Sequence, residues 1–274
     1  MILWTFITVT YNNAVTLKEF WGGEIPEWAE WIVVDNASQD NTSQIAEQLG
    51  ASRVITLESN VGFGSANNVG LRAAQGLFIA FANPDVTVNF ESMKVLAQAI
   101  DRTGGIVGPQ LVNPDGSLQP NGRGLPTLAS KVRNRLPHKF GIPGYQLFAH
   151  KGQLIRVDWL IGAAVLGRKE TFDAIGGWDE RFFLYYEDSD IGLRAWLSGL
   201  SVELVGDANW IHGWARETTQ FRLDPWKREI ASMAKFYSRY PSLLGPVRFA
   251  KHRLAKKIDA GAKRRTPSNL KATK

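Results

Sequence analysis

The sequence predicts an α/β protein with a mixed, mostly parallel central sheet that is flanked by helices and followed by a C-terminal helical extension. In the first half, apolar and β-branched runs alternate with segments of helical periodicity, which is the pattern of βαβ units. Polar clusters directly follow the first four of these runs. No stretch reaches the roughly 18 consecutive apolar residues that a transmembrane helix needs.

The predicted elements begin with four strands, "LWTFITVTY", "WIVVDN", "SRVITLE" and "LFIAFANPD". Helices are expected in "NTSQIAEQLG", "SANNVGLRAAQG" and "FESMKVLAQAI", where apolar residues recur at helical spacing. Residues 104–153 are rich in Gly, Pro and Asn and predict long loops and short hairpins, with one candidate strand in "GIVGPQLV". The remaining expected elements are a strand "VDWLIGAAVLG", a turn "GGWDE", a helix "DSDIGLRAWLSG" and a strand "SVELVG".

The basic charge of the chain lies at its C-terminal end. Residues 225–274 contain 14 Lys and Arg against 2 acidic residues, a net charge of +12, and residues 1–224 contain 18 against 24, a net charge of −6. We therefore expect one domain over residues 1–224 and a basic helical extension over 225–274 whose end is disordered. Its apolar positions at helical spacing are Trp226, Ile230, Met233 and Tyr237, then Val247, Ala250, Leu254 and Ile258.

Composition limits the kind of site and the location. Cysteine is absent, so any metal has to be held by oxygen or imidazole ligands. The segment "MILWTFITVTYNN" has neither a basic region nor a small-residue cleavage site, so a cytoplasmic location is expected. The stretch "GFGSAN" lacks the third glycine of a dinucleotide fingerprint and follows the third strand rather than the first, which argues against a nicotinamide or flavin enzyme.

The polar clusters after the first four strands are "TYNN", "DNASQD", "ESNVGFG" and "NPD". Each cluster alone is as typical of a turn or a helix cap as it is of a binding site. In an open parallel sheet, however, the carboxyl ends of the strands share one edge, where ligands bind. The four clusters together therefore predict a binding site at that edge.

Two further segments carry candidate chemistry. Asp85 is a candidate ligand for Mg²⁺ or Mn²⁺ and His212 a second ligand, although an Asx-Pro turn and a structural histidine explain them as well. In "FFLYYEDSDIGLRAW", Glu187, Asp188 and Asp190 begin a helix, where acidic residues are favoured by the helix dipole. A carboxylate pressed against these aromatic residues is also suited to act as a general base.

Taken in order, these motifs resemble glycosyltransferase family 2, the inverting enzymes of the GT-A fold, and within it the rhamnosyltransferase-like branch. The resemblance covers roughly residues 3 to 220 and rests on "VTYNN", "VVDNASQD", "SNVGFGSANNVGL", "NPD", "GAAVLGRKETFDAIGGWDERFFLYYEDSDIGLR" and a following "H". Each motif alone is weak, but the ordered set is specific.

The resemblance implies a donor site for a nucleotide sugar. Tyr11 would pack on the nucleobase and Asp35 would accept a hydrogen bond from its imide N–H, which implies a dTDP or UDP sugar. Asp85 would reach the metal on the diphosphate together with His212, and Asn83 departs from the first carboxylate of an Asp-x-Asp motif, as the rhamnosyltransferase branch does. The other donor-binding residues implied are Thr10, Asn60, Phe63, Asn67 and Arg216.

The resemblance also implies the catalytic and acceptor sides. Asp188 would remove the proton from the acceptor hydroxyl, and Glu187 would orient that hydroxyl or the base. Candidates for the walls of the acceptor and donor-sugar site are Trp159, Gly162, Ala163, Trp178 and Asp179, for which hydrophobic core and turn are the structural alternatives.

We therefore expect a metal-assisted inverting glycosyltransferase that moves L-rhamnose from dTDP-L-rhamnose to a cell-surface polysaccharide or lipid-linked saccharide. The alternatives are a UDP-hexose or UDP-N-acetylhexosamine transferase of the same fold and an inactive nucleotide-sugar-binding protein. The basic C-terminal helix predicts peripheral contact with an anionic membrane surface. Nucleic-acid binding is not expected, because the rest of the chain is acidic and carries no such motif.

Overall fold

The computed structural model describes residues 2–134, 145–213 and 223–247, and all structural statements concern these ranges. Its strands are β1 (Trp4–Thr10), β2 (Ala29–Asp35), β3 (Arg53–Thr56), β4 (Phe78–Ala82), β5 (Val86–Thr87), β6 (Ile106–Val112), β7 (Leu118–Gln119), β8 (Gly122–Arg123), β9 (Gln146–Leu147), β10 (Leu154–Arg156), β11 (Trp159–Leu160), β12 (Ala164–Arg168) and β13 (Val202–His212). Its α-helices are α1 (Ala14–Phe20), α2 (Thr42–Gln48), α3 (Phe63–Ala73), α4 (Met93–Thr103), α5 (Leu128–Arg133), α6 (Lys169–Ile175), α7 (Glu187–Leu197) and α8 (Leu223–Arg239).

The central sheet is mixed, as expected, and contains ten strands. Its main path runs β10-β13-β6-β12-β4-β1-β2-β3, with β5 beside β13 and β7 beside β6. The four strands β4, β1, β2 and β3 are parallel, which brings their carboxyl ends to one edge. The antiparallel strand β12 joins this half to the parallel pair of β6 and β13.

Both faces of the sheet are covered by helices. On β1, Phe6 packs in one core with helices α1, α2 and α4, and its neighbour Ile7 packs in the other with α3, α6 and α7. Side chains alternate between the two faces of a strand, so a strand buried on both faces reads as a continuous apolar run. This explains why "WIVV" is apolar throughout, while "WTFIT" combines three apolar residues with the buried Thr5 and Thr8.

The segment "VDWLIGAAVLG" does not form the single strand that its composition suggests. It divides into β11, which pairs with β8 in a separate three-stranded sheet, and β12, which pairs with β4 in the main sheet. The change of direction falls at residues 161–163. A Cβ added at Gly162 would lie 3.2 Å from the ring of Phe63, so glycine leaves room for this ring without a shift of the neighbouring side chain.

Several short elements were not predicted. Helices α1, α5 and α6 have six or seven residues each, too few to show a helical period, and β5 and β10 have two or three. The other elements predicted before residue 213 are confirmed, whereas the helix expected around Val247 to Ile258 lies almost wholly outside the described residues. The candidate strand in "GIVGPQLV" is β6, and the last strand is longer than "SVELVG" because it continues to His212.

Helix α8 packs on the domain through part of the expected stripe, since Tyr237 is buried and Met233 packs beside it. Phe236, Tyr237 and Tyr240 are buried in a cluster with residues of the segment before α7 and of α7 itself, whereas Ile230 is 55% exposed. The division between residues 1–224 and 225–274 stays a prediction. None of the described helices is both long and apolar enough to cross a bilayer.

An ion cluster around Asp190 joins α7 to α8. The carboxylate of Asp190 is fully buried and lies 2.6 Å from the guanidinium of Arg194 and 3.2 Å from that of Arg239. It also accepts a hydrogen bond of 2.8 Å from the hydroxyl of Tyr240. Burial and the charge of Asp190 raise the pKa of Tyr240, so this hydroxyl remains a donor. Asp190 therefore has partners on its own helix and on α8.

We expect Asp190→Asn to destabilise the fold by about 3–5 kcal/mol, because it removes the charge that compensates two arginines. The matched control is Asp173→Asn, whose exposed carboxylate lies 3.2 Å from Lys169 one helical turn away and should cost no more than about 0.5 kcal/mol. Urea unfolding measured by circular dichroism compares the two variants. Equal losses of stability would contradict the role given to Asp190.

Candidate active site

The polar residues after β1 and β2 are joined by hydrogen bonds, as their expected convergence requires. The Asn12 amide donates to the hydroxyl of Ser38 (2.8 Å), and the Gln39 amide donates to the side-chain oxygen of Asn12 (2.7 Å). The Asn13 amide donates to the hydroxyl of Thr42 at the start of α2 (2.9 Å). The first two clusters therefore form one surface.

The third cluster is joined to the second through Asn60. The side-chain amide of Asn36 donates to the Oδ1 atom of Asn60 (3.0 Å), which also accepts from the Gly62 amide (3.0 Å). The Oδ1 atom of Asn36 accepts from the Val61 amide (2.9 Å). The loop before α3 is thus held over the end of β2.

The implied nucleobase residues differ in accessibility. Tyr11 is 47% exposed and offers a ring face at the edge of the sheet. Asp35 is buried, and its two oxygens accept from the Ser38 amide and the Ser43 hydroxyl. Thr10 is also buried, as is Asn67, whose side-chain amide donates to the carbonyl of Phe63 (3.1 Å). Their roles in donor binding stay predictions.

The "NPD" segment forms a turn that is held from two sides. The Val86 amide donates to the carbonyl of Asn83 (3.2 Å), which also accepts from the indole N–H of Trp21 (3.3 Å). The Asn83 amide donates to the carbonyl of Ala163 (3.0 Å). The turn is therefore structural, and it also sets the direction of Asp85.

Asp85 and His212 lie together. The Oδ2 atom of Asp85 is 3.4 Å from the Nε2 atom of His212, and the Gly213 amide donates to the carbonyl of Asp85 (2.8 Å). The Nδ1 atom of His212 is 2.8 Å from the side-chain oxygen of Gln119. Asp85 is partly exposed and His212 is buried.

The pair suits a divalent cation as two ligands of a larger set. Carboxylate oxygen and imidazole nitrogen are both suitable donors, and a ligating histidine usually hydrogen-bonds through its other nitrogen, as His212 does. No three His, Asp or Glu side chains cluster within the described ranges. Mg²⁺ in proteins commonly takes further ligands from phosphate oxygens and water.

The backbone before Glu187 is strained. Tyr185 and Tyr186 have φ values of 69° and 70°, in the left-handed region that side chains disfavour. In the part of the chain that the structure describes, Asn12 (57°) and Ala37 (66°) are the other non-glycine residues with positive φ. All four lie beside the candidate site, where such strain is commonly retained for function.

The same segment contacts the loop before α3. The Phe63 amide donates to the carbonyl of Phe183 (2.9 Å), and a Cβ added at Gly62 would lie 2.4 Å from that carbonyl oxygen. Gly62 has φ of 90°, so glycine is required here both for space and for conformation. The expected donor loop and the acidic motif are therefore adjacent.

Glu187 and Asp188 have different environments although they are consecutive. Glu187 is buried, and its Oε2 atom has no hydrogen-bond partner. Burial, followed by the charge of Asp188, raises the pKa of Glu187 to about 8. Asp188 is partly exposed and accepts a hydrogen bond of 2.6 Å from the Ser189 amide. Glu187 therefore favours its neutral form, while Asp188 is open to solvent.

Two cations near these carboxylates were not found by sequence reasoning. The ammonium of Lys131 donates to the Ser189 hydroxyl (2.9 Å) and lies 4.1 Å from the ring centre of Trp159. Its charge acts on Glu187. Arg123 is buried, which lowers its pKa, and interacts with the charge of Asp188. Both residues lie in the region expected to be loops, where the sequence shows no period that would position them.

The residues implied for the sugar walls are partly engaged in packing. The indole N–H of Trp159 donates to the carbonyl of Gly124 (2.9 Å), and Trp178 is buried against Phe63 and Phe81. The carboxylate of Asp179 binds Arg181 and Arg239, and the hydrogen bond from Arg181 lowers its pKa to about 2. Contact of these side chains with a sugar stays a prediction.

Asn68 is a further residue that the sequence did not indicate. Its side chain donates to the carbonyl of Trp178 (2.8 Å) and accepts from the Trp178 amide (2.8 Å), so it joins α3 to the "GGWDE" turn. A buried asparagine within a helical period gives no sequence signal of a partner more than a hundred residues away. Arg216, implied in phosphate binding, lies outside the described residues.

The raised pKa of Glu187 predicts how stability depends on pH. Below the ordinary pKa of 4.5, the carboxyl is neutral in the folded and the unfolded chain, and its full contribution to the free energy of unfolding is present. As the pH rises from there towards 8, the carboxyl ionises in the unfolded chain but not in the folded one, so this stability is lost. Glu187→Gln keeps a neutral side chain at all pH values. We therefore expect the variant to match wild type at pH 4 and to exceed it by on the order of 4 kcal/mol at pH 8.

Urea unfolding at pH 4, 6 and 8 measures this difference, with Glu170→Gln as an exposed control that should show no pH-dependent gain. A difference between Glu187→Gln and wild type that does not grow with pH would contradict the neutral state of Glu187.

The sequence profile of glycosyl transferase family 2 matches residues 5–162. An N-acetylglucosaminyl-diphospho-decaprenol L-rhamnosyltransferase of Mycobacterium tuberculosis is 31% identical over 236 residues, which cover 77% of this chain and 76% of that protein. Rhamnosyltransferase WbbL of Escherichia coli is 23% identical over 76% of this chain and 81% of its own length.

Solved structures agree in fold. TarS of S. aureus, residues 1–349, superposes with a TM-score of 0.59 at 17% identity over 95% of this chain and 89% of that chain. GalNAc-T7 with UDP, GalNAc and Mn²⁺ superposes with a TM-score of 0.63 at 15% identity over 97% and 58%. The chain therefore belongs to glycosyl transferase family 2 and is a glycosyltransferase with a GT-A-like α/β fold.

Proposed function

We propose that this enzyme transfers L-rhamnose from dTDP-L-rhamnose to a saccharide on a diphosphate-linked lipid, with inversion at the anomeric carbon. The observation that carries the proposal is the turn at Gly162 and Ala163. Ala163 accepts the hydrogen bond from Asn83 on the donor side, and a Cβ added at Gly162 would lie 3.8 Å from the Cβ of Asp188. The expected diphosphate residues and the expected base thus flank one short turn.

The rhamnosyl donor is supported by the relatives and by the residues at the sheet edge. Two of the similar proteins are named as rhamnosyltransferases. Tyr11 is exposed enough to stack on a nucleobase, and Asp35 lies at the end of β2, where an acceptor for the imide N–H is needed. Asn60, Phe63 and Asn67 hold the adjoining loop and complete the donor side.

Asp188 is the proposed general base. Its carboxylate takes the proton of the acceptor hydroxyl as that oxygen bonds to the anomeric carbon, and the bond from this carbon to the diphosphate oxygen breaks. Attack from the face opposite the leaving group inverts the anomeric configuration. Asp188 is partly exposed and can meet an acceptor, whereas the buried Glu187 is suited to orient the base.

Asp85 and His212 are the residues that would hold Mg²⁺ or Mn²⁺. A divalent cation bound there supplies positive charge for the departing diphosphate. Trp21 and Ala163 hold the backbone of the turn that carries Asp85, so the carboxylate is directed before the donor arrives. Arg216 is proposed to add charge on the same side.

A UDP sugar is the alternative donor, because uracil carries the same imide N–H as thymine and Asp35 does not distinguish them. An inactive nucleotide-sugar-binding protein is the alternative of another class. Turnover of purified protein with dTDP-rhamnose, UDP-glucose, UDP-GlcNAc and a GDP sugar, each with Mn²⁺ and a lipid-linked GlcNAc acceptor, separates the three. Transfer only from UDP sugars would replace the rhamnosyl proposal, and binding without transfer would favour the inactive protein.

Asp188→Asn is expected to lower kcat by roughly a thousandfold, because a general base contributes about 10²–10⁴-fold. The affinity for dTDP, measured by calorimetry, should stay within a factor of two, since the side chain faces the acceptor. Asp173→Asn on the exposed side of α6 serves as the control. A variant that keeps wild-type turnover would remove Asp188 from its role.

We also propose that the basic C-terminal extension binds an anionic membrane on the cytoplasmic side, where a lipid-linked acceptor would be presented. Ten Lys and Arg residues follow Pro246, and each contributes about 1 kcal/mol near an anionic surface. The residues concerned, 248–274, lie outside the described ranges.

Truncation after Pro246 should abolish binding to phosphatidylglycerol vesicles at low salt in a sedimentation assay. Vesicles of phosphatidylcholine and a high-salt sample are the controls, and neither should bind the full chain strongly. Equal sedimentation of the truncated and full chains would reject the membrane role.

A further inference from the structure

Gln119 is a buried residue at the edge of the proposed cation site that neither the sequence nor the proposed mechanism has used. It lies on β7, which pairs with β6, and is only 2% exposed. Its side chain touches both the backbone and the ring of His212. The orientation of its amide decides which nitrogen of the imidazole carries the hydrogen.

That orientation follows from a chain of hydrogen bonds which begins at a carboxylate. Asp115 accepts from the hydroxyl of Ser117 (2.6 Å), because an ionised carboxylate cannot donate, and Ser117 holds the pKa of Asp115 below its ordinary value. The Ser117 oxygen therefore accepts from the side-chain amide of Asn113 (2.7 Å). This leaves the Oδ1 atom of Asn113 as the acceptor that faces Gln119.

Gln119 consequently directs its Nε2 atom to two acceptors. One is the Oδ1 atom of Asn113, and the other is the carbonyl of His212 (2.7 Å), which can only accept. Both N–H groups of the amide are used, so the Oε1 atom has to face the Nδ1 atom of His212, 2.8 Å away. If the amide were reversed, its Oε1 atom would face the carbonyl oxygen of His212 and the Oδ1 atom of Asn113, which are acceptors themselves. Its Nε2 atom would face the Nδ1 atom of His212, and an Nδ1–H group there would place two donors against each other.

Because an amide oxygen only accepts, the Nδ1 atom of His212 carries the hydrogen of the neutral ring. The Nε2 atom then presents its lone pair, and this is the atom that lies 3.4 Å from the Oδ2 atom of Asp85. A divalent cation would accept both the lone pair of Nε2 and the carboxylate oxygen of Asp85 as ligands. Pairing of β5 with β13 also sets the backbone spacing of Asp85 and His212, and the contact with the ring is made by Gln119.

We propose that Gln119 is a positioning residue that holds His212 in the Nδ1–H tautomer and thereby makes Nε2 a metal-ligating atom. The inference rests on the proposed cation role of Asp85 and His212. Supporting hydrogen bonds of this kind typically change metal affinity by about 10- to 100-fold. The turn over residues 113–117 acts through Gln119 and fixes its amide.

The first test is the tautomer itself, which needs no metal. Long-range ¹⁵N–¹H NMR spectra of metal-free protein at alkaline pH, with His212→Ala to assign the signal, report which ring nitrogen carries the hydrogen. We expect the Nδ1–H form in wild type and a shift towards Nε2–H in Gln119→Leu. An Nε2–H ring in wild type would overturn the proposal even if the variant did not fold.

The second test is the affinity for Mn²⁺ in the presence of dTDP, measured by calorimetry and by electron paramagnetic resonance. Gln119→Leu should bind Mn²⁺ 10- to 100-fold more weakly, while its affinity for dTDP in EDTA stays unchanged. The matched control is Asn121→Leu, which removes another buried amide that donates to Pro109 and does not contact His212. It should keep wild-type Mn²⁺ affinity.

The positioning role of Gln119 and the cation site can be contradicted independently of each other. Wild-type Mn²⁺ affinity in a folded Gln119→Leu variant would overturn the positioning role while leaving the cation site intact. No Mn²⁺ binding by wild type with dTDP would overturn the cation site, and with it the ligating role of Nε2, whatever the tautomer.

Discussion

The buried carboxylate of Asp190 is the interaction on which the catalytic side of the molecule depends. It lies two residues beyond Asp188 on α7 and holds Arg194 on the same helix and Arg239 and Tyr240 from the C-terminal segment. A buried charge is tolerated only when it is paired and hydrogen-bonded on several sides. Helix α7 therefore starts at a fixed place, and the strained backbone of Tyr185 and Tyr186 is held against it.

The two halves of the site are built on different principles. The proposed donor side consists of hydrogen-bonded loops at the ends of parallel strands, where Asn12, Asn36 and Asn60 hold one loop to the next. The proposed acceptor side consists of buried ionisable groups, where burial raises the pKa of Glu187 and Lys131 and Arg123 lie nearby. Gly62 lets these halves approach more closely than any side chain would allow, and Gly162 leaves room for the ring of Phe63.

The sequence alone was sufficient to predict the parallel half of the sheet and the edge at which the polar clusters meet. Strands buried on both faces leave continuous apolar runs, and their polar ends are visible without a structure. It wrongly predicted a single strand over "VDWLIGAAVLG", because the turn at Gly162 packs against the ring of Phe63, far away in the chain. Lys131, Asn68 and Gln119 could not be found, since each acts through a tertiary partner rather than a local pattern.

The segment between β6 and β11 enters the site from outside the parallel sheet, bringing Gln119, Arg123 and Lys131 with it. Its strands β8 and β9 pair with β11 in a small sheet of their own, so changes of length in its loops need not alter the register of β4, β1, β2 and β3. Loops that a rigid scaffold positions tolerate such variation well. The architecture thus separates the edge that we propose to bind the nucleotide from a segment whose loops can change in length beside the proposed acceptor site.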